Sequence, residues 1–148
     1  MKPLDIKWGV ILGLVYIVWL YLSYFLGLHT DGITKVQIVV LVSLFFSAIV
    51  LFLGLLAARK EDSGLSYSEG LKSGAIISLI GGLIAACGQF GYFTRIHPEF
   101  TEYMVEISRQ HFEGQGIEGK DLAEALEGAR ASFGRNSYMV QSGVGLFV

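Results

Sequence analysis

Apolar residues fall into three long runs that no charge interrupts, with short polar segments between them. The uncharged stretches cover residues 8–28, 36–58 and 73–94, which are 21, 23 and 22 residues long. An α-helix needs about 20 apolar residues to cross a hydrocarbon core about 30 Å thick, so each stretch predicts one transmembrane helix. Trp8 at the start of the first, and Tyr21 and Tyr24 near its end, suit the two membrane interfaces. Residues 29–35 read as a tight turn, which predicts an antiparallel pair of helices. Arg59, Lys60, Glu61 and Asp62 end the second run abruptly. Ser66 followed three positions later by Glu69 has the form of a capping box. A helix is expected to start there, amphipathic in its first turns and spanning thereafter.

Beyond the third run the pattern changes. His97-Pro98 breaks it, because the residue before a proline avoids the helical region, and Pro98 suits the first turn of a new helix. Phe100, Tyr103, Met104 and Ile107 then mark one apolar helical face. After Gly114-Gln115-Gly116 a second face follows, with Leu122, Ala125, Leu126, Ala129 and Phe133. Residues 95–137 hold eight acids and five bases, too polar to cross a bilayer. They predict a helical hairpin over about residues 98–134, on or outside the membrane. Residues 137–148 read as the start of a fourth span. Twelve helical residues rise about 18 Å, too short to cross, and a helix end stranded in lipid would leave its last carbonyls unpaired. The natural chain is therefore expected to continue past Val148. The expected fold class is an all-α integral membrane protein: one membrane domain over residues 1–148, with three full transmembrane helices, an amphipathic hairpin and an incomplete fourth helix.

Composition sharpens this picture. The chain is 53% hydrophobic and 16% charged, with a mean hydropathy of +0.56, whereas soluble domains carry about 25% charged residues. The shortage is a segregation, since the three spans hold no charge at all. That pattern excludes a soluble domain, a disordered chain and an outer-membrane barrel. A net charge of −2 and the lack of any recognition motif give no reason to expect nucleic acid as a partner. The lone Cys87 leaves no internal disulfide framework. The first run exceeds the 7–15 apolar residues of a signal core and no small-x-small site follows it, so it reads as a retained span.

Positive charge near the spans sets topology. Lys2, Lys7, Arg59, Lys60 and Lys72 lie on one side, against Lys35 and Arg95 on the other. This places the N-terminus and the second loop in the cytoplasm and the acidic hairpin outside, which in a Gram-negative cell means the periplasm.

Candidate chemistry is sparse. Gly70, Gly74, Ser78, Gly82 and Ala86 repeat at a spacing of four in the third helix. Gly9 and Gly13 repeat it once in the first, and Ser43 and Ser47 give a weaker version in the second. Small residues let another helix approach closely, so these positions read as a docking face for another subunit or as packing among the protein's own helices. No span carries a charge, which counts against proton- or ion-coupled transport. Gln89 and Tyr16 are the strongest polar groups and are expected to make interhelical hydrogen bonds. His29 and His97 fall at the same membrane edge. A ligand pair for haem or a metal is one reading, and two interface histidines is the plainer one, so no cofactor and no metal are expected. His111 and the row Glu99, Glu102 and Glu106 read as solvated. HExxH, GxSxG, P-loop and dinucleotide motifs are missing, so no catalytic residues and no enzyme activity are expected.

The order of parts also carries a resemblance. Trp8-Gly9-Val10-Ile11-Leu12-Gly13, Ser66-Tyr67-Ser68-Glu69-Gly70-Leu71-Lys72-Ser73-Gly74 and Ile96-His97-Pro98-Glu99-Phe100 precede a charged helical segment and a last helix. In this the sequence resembles a family of small bacterial membrane proteins, domain of unknown function 4199, over nearly the whole chain. The resemblance implies a four-helix topology in somewhat longer chains, and no catalytic residues can be carried over from it. The function expected is that of a non-catalytic accessory or stabilising subunit. It would contact lipid and other integral membrane subunits within a respiratory, photosynthetic or secretion complex. A small homo-oligomeric transporter or channel, with pore faces of Gly, Ser and Gln89, is the alternative. A membrane enzyme or redox subunit built on His29 and His97 is a third.

Overall fold

A computed structural model describes residues 2–29, 33–134 and 137. Helix α1 spans Pro3–Phe25, α2 Ile33–Glu61 and α3 Tyr67–Gly91. A π turn over Tyr92–Ile96 continues α3, and two shorter helices follow, α4 (Phe100–Gly114) and α5 (Gly119–Ser132). Among the described residues all regular structure is helical. Three segments are long and apolar enough to cross a membrane: Pro3–Phe25, Thr34–Glu61 and Tyr67–Ile96. Residues 138–148, on which the reading of a fourth span falls, lie outside the described residues.

Helix ends do not coincide with the edges of the uncharged stretches, because charge marks where lipid ends while caps mark where a helix ends. Helix α1 starts at Pro3, well before Trp8, with proline in its first turn and the Asp5 carboxylate accepting the Lys2 N–H at 3.2 Å. An acid in that position also suits the positive end of the helix dipole. The helix stops at Phe25, short of Leu28, in a Schellman turn. Gly27 N–H donates to the Tyr24 carbonyl (2.9 Å) and Leu28 N–H to the Ser23 carbonyl (3.0 Å). Gly27 has φ +74°, a conformation open to glycine at little cost. Helix α4 closes the same way at Gly116, φ +78°, with Ile117 N–H on the Phe112 carbonyl at 3.1 Å. Helix α3 begins as the capping-box spacing predicts. Ser66 Oγ accepts the Glu69 N–H at 3.4 Å, and the Glu69 carboxylate accepts the Ser66 N–H at 2.9 Å.

Helix α1 is the hub of the bundle: it packs most extensively on α3 and next on α2, while α2 and α3 touch less. Gly9 meets Ile80, Gly13 meets Ile84 and Ile17 meets Gly88. The constant offset of 71 residues shows that α1 and α3 run parallel, as an up-down-up arrangement requires. The buried core includes Leu20, Val39, Val50, Ala58 and Ile77. Helices α4 and α5 pack mainly on each other, tied by Arg130 to Glu102 at 2.8 Å and by Thr101 Oγ1 donating to the Phe133 carbonyl at 2.8 Å. Helix α4 buries Phe100, Met104, Val105 and Ser108, so its inner face is turned slightly from the predicted one, leaving Tyr103 and Ile107 half-buried. Helix α5 has no buried residue; its predicted apolar face, Leu122, Ala125, Leu126, Ala129 and Phe133, is half-buried throughout.

Candidate functional site

The small residues singled out in the sequence divide between two faces. Gly9 and Gly13 lie in the α1–α3 contact. A Cβ at Gly9 would come within 2.7 Å of Ile80 Cβ, and one at Gly13 within 2.5 Å of Ile84 Cβ. The reciprocal notches are Gly81, which receives Leu12, and Gly88, which receives Ile17; neither belongs to the stripe at spacing four. They are seven residues apart, the period of a left-handed helix pair, and that spacing is the signal that could have found them. Of the stripe itself, Gly74 sits in ordinary contact with Leu55 of α2 at 3.7 Å, and Gly70 only near Leu65 at 3.8 Å. Gly70, Gly74, Ser78, Gly82 and Ala86 are all half-buried.

Polar side chains join α1 to α3 at three levels. At the amino-terminal end Ser73 Oγ donates to the Asp5 carboxylate at 2.6 Å, and Asp5 is 2% exposed. From the hairpin half of α3, Gln89 Nε2 donates to the hydroxyl of Tyr16, which lies near the middle of α1. Close to the hairpin end, Tyr21 donates to the Gly88 carbonyl at 3.4 Å.

The most concentrated chemistry lies at that hairpin end. The Schellman turn at Gly27 delivers His29 beneath the end of the bundle, where it is 5% exposed. The π turn closes with His97 N–H on the Tyr92 carbonyl at 2.9 Å, five residues apart, which brings Tyr92 and His97 to the same side. Both His29 Nδ1 and His97 Nδ1 then meet the Tyr92 hydroxyl, the latter at 3.3 Å. His29 Nε2 meets Ser23 Oγ at 3.1 Å, and Ser23 Oγ lies 2.8 Å from the Leu20 carbonyl.

The direction of every bond in this chain follows from its last member. A carbonyl can only accept, so the Ser23 proton goes to Leu20 and Ser23 accepts from His29 Nε2–H. Neutral His29 is then an acceptor at Nδ1, and Tyr92 donates to it. With its one proton committed there, the Tyr92 oxygen accepts from His97 Nδ1–H. The neutral state is thus one relay, from His97 through Tyr92, His29 and Ser23 to the backbone, and it fixes both tautomers.

Aromatic rings enclose the relay. Tyr92 is fully buried, edge-on to Tyr21, Tyr24 and Phe93 at 6.0, 5.8 and 5.1 Å between centroids. Phe100, the first residue of α4, lies 5.4 Å from both Phe93 and His97 and 6.3 Å from His29. Burial lowers the His29 imidazole to about 4, and His97 pushes it in the same direction. Burial also lowers His97, while nearby Glu99 raises it. As for metal binding, the two histidines turn their Nδ1 atoms onto one phenol, and among the described residues no three His, Cys, Asp or Glu side chains converge. Sequence reading places His29 and His97 at a common edge; it misses Tyr92 and Ser23, whose role depends on the π turn and the Schellman turn.

Three span-length apolar helices, joined by polar pairs and capped by a half-buried hairpin, define the make-up of an α-helical membrane protein. The chain belongs to the family described as Protein of unknown function (DUF4199), whose pattern matches residues 7–147. No curated protein and no solved structure matches it.

Proposed function

We propose that this protein is a non-catalytic accessory or stabilising subunit of a larger complex in the bacterial inner membrane, with its N-terminus in the cytoplasm and its hairpin in the periplasm. The observation that carries the reading is the mismatch between spent polar groups and unspent apolar surface. Asp5, Tyr16, Ser73 and Gln89 pair within the chain, while only 22, 17 and 17% of an 18-residue apolar stretch in each of the three spans is buried inside it. Leu41, Leu44, Phe45 and Phe52 of α2 point outward, as do Leu71, Leu79 and Leu83 of α3. Lipid covers part of such a surface. The half-buried stripe from Gly70 to Ala86 borders it and suits the close approach of a second helix. The channel alternative needs Gln89 on a pore face, and its amide is bonded to Tyr16 instead.

A photo-crosslinking residue in place of Leu79 or Leu83, activated in native membranes, tests this. A discrete product with one other membrane polypeptide is expected. Adducts with lipid alone would overturn the reading. Adducts with a second copy, together with solute flux in vesicles, would favour the channel.

A further inference from the structure

We propose that His29, Tyr92 and His97 form a shared proton-loading site, in which one proton taken up at His97 is carried to His29 by reversal of the hydrogen bonds at Tyr92 and loosens the α4–α5 hairpin from the bundle. This goes beyond the subunit reading and stands or falls without it.

The proton balance is simple. In the neutral relay His97 Nδ1–H donates to Tyr92, and Tyr92 donates to His29 Nδ1. A proton from water adds to Nε2 of His97, which is half-buried rather than buried. Tyr92 then gives its own proton to His29 Nδ1 and takes the one on His97 Nδ1. Afterwards His97 is neutral with its proton on Nε2, Tyr92 donates to His97, and His29 is a cation with both nitrogens protonated. Only N–H and O–H bonds change, and one proton has been gained.

Two features make this a loading site rather than a conduit. Beyond His29 the chain ends on Ser23 and the Leu20 carbonyl, and a carbonyl passes no proton on. A second proton would place two imidazolium ions around one phenol. Among the described residues, the groups facing the relay include Tyr21, Ser23 and Tyr24 from α1, Tyr92 and Phe93 from the π turn, and Glu99, Phe100 and Tyr103 from the hairpin. Glu99 favours charge on His97. Among the described residues no carboxylate offsets charge on His29. Burial of His29 therefore holds the charge on His97 until water reaches His29. Water reaches it by displacing Phe100, which is 4% exposed and seats the hairpin on the histidines. Because α4 and α5 pack mainly on each other, the hairpin is the part that can move as a unit.

The test uses the full chain in lipid nanodiscs. Side-chain nitrogen NMR at pH 7 should show His29 protonated on Nε2 and His97 on Nδ1; the opposite tautomer at either residue would overturn the proposal. Amide exchange of residues 100–108, divided by the intrinsic rate at each pH, should rise at least tenfold between pH 7 and pH 4, while α3 stays protected. Tyr92→Phe keeps the ring and cuts the relay, and should flatten that response. A wild-type response that persists in Tyr92→Phe, or no wild-type response, would also overturn it. Should the variant fail to fold, the wild-type tautomers and exchange still decide.

Discussion

Gly13 and Gly74 look alike in sequence, each one of a pair of glycines four residues apart in an apolar helix, yet their surroundings differ. A methyl at Gly13 would lie 2.9 Å from the Gly81 carbonyl as well as against Ile84, and backbone cannot yield as a side-chain tip can. Overpacking of this kind costs about 1–3 kcal/mol. Gly13→Ala is therefore expected to lower the thermal midpoint in detergent. Gly74→Ala, with its nearest neighbour at 3.7 Å, should leave the midpoint unchanged or raise it, since alanine favours helix by about 1 kcal/mol. A loss of the crosslinked partner in Gly74→Ala without loss of stability would mark that stripe as an outward contact. The buried histidine makes a second prediction at this scale. Its folded imidazole sits at about 4 against about 6.5 in an unfolded chain. Between those values the unfolded chain binds more protons, so stability rises with pH through that window and is fully present above it. His97, lowered in the same sense, adds to the slope. Melting curves from pH 7 down to pH 4 should show a falling midpoint, and His29→Gln should reduce the fall.

Elements carry the next set of consequences. Helix α3 depends on the reciprocal bonds of Ser66 and Glu69, and removing such a cap costs about 1 kcal/mol. Ser66→Ala should lower the melting midpoint modestly without altering helical content by circular dichroism. At the other end, Phe100 is the hairpin's buried seat among His29, Phe93 and His97. Phe100→Ala should free the hairpin at neutral pH, seen as rapid proteolysis between residues 97 and 117 with the three spans intact. Arg130→Ala, which removes only an exposed ion pair with Glu102, should change stability by less than about 1 kcal/mol. Much at this scale is legible in the sequence. The capping box, the His97-Pro98 break and the Gly114–Gly116 interruption each name a backbone requirement that few residues meet. The π turn is not legible, because nothing in Tyr92-Phe93-Thr94-Arg95-Ile96 distinguishes it from one more turn of α3. Without it Tyr92 and His97 would lie on different sides of the helix.

At the scale of the whole molecule, lipid makes the spans easy to read, since it sets a length and forbids charge, and residues 8–28, 36–58 and 73–94 satisfy both. Which helix faces which is harder to read. Neighbouring residues on a helix point about 100° apart, so Gly81 and Gly82 are equivalent to the eye, although Gly81 receives Leu12 in the main helix contact. Only the partner's side chains, more than sixty residues away, settle the choice. That separation bears on how the protein is made. The notches at Gly9 and Gly13 enter the bilayer with the first helix, but Ile80 and Ile84, which fill them, are synthesised 71 residues later. Until then α1 has only α2 to lean on, and the side chains that fill its two notches are still to come. Biogenesis of this chain therefore passes through a two-helix stage without its principal interface, when any insertase or chaperone that recognises small-residue grooves has its longest opportunity to bind.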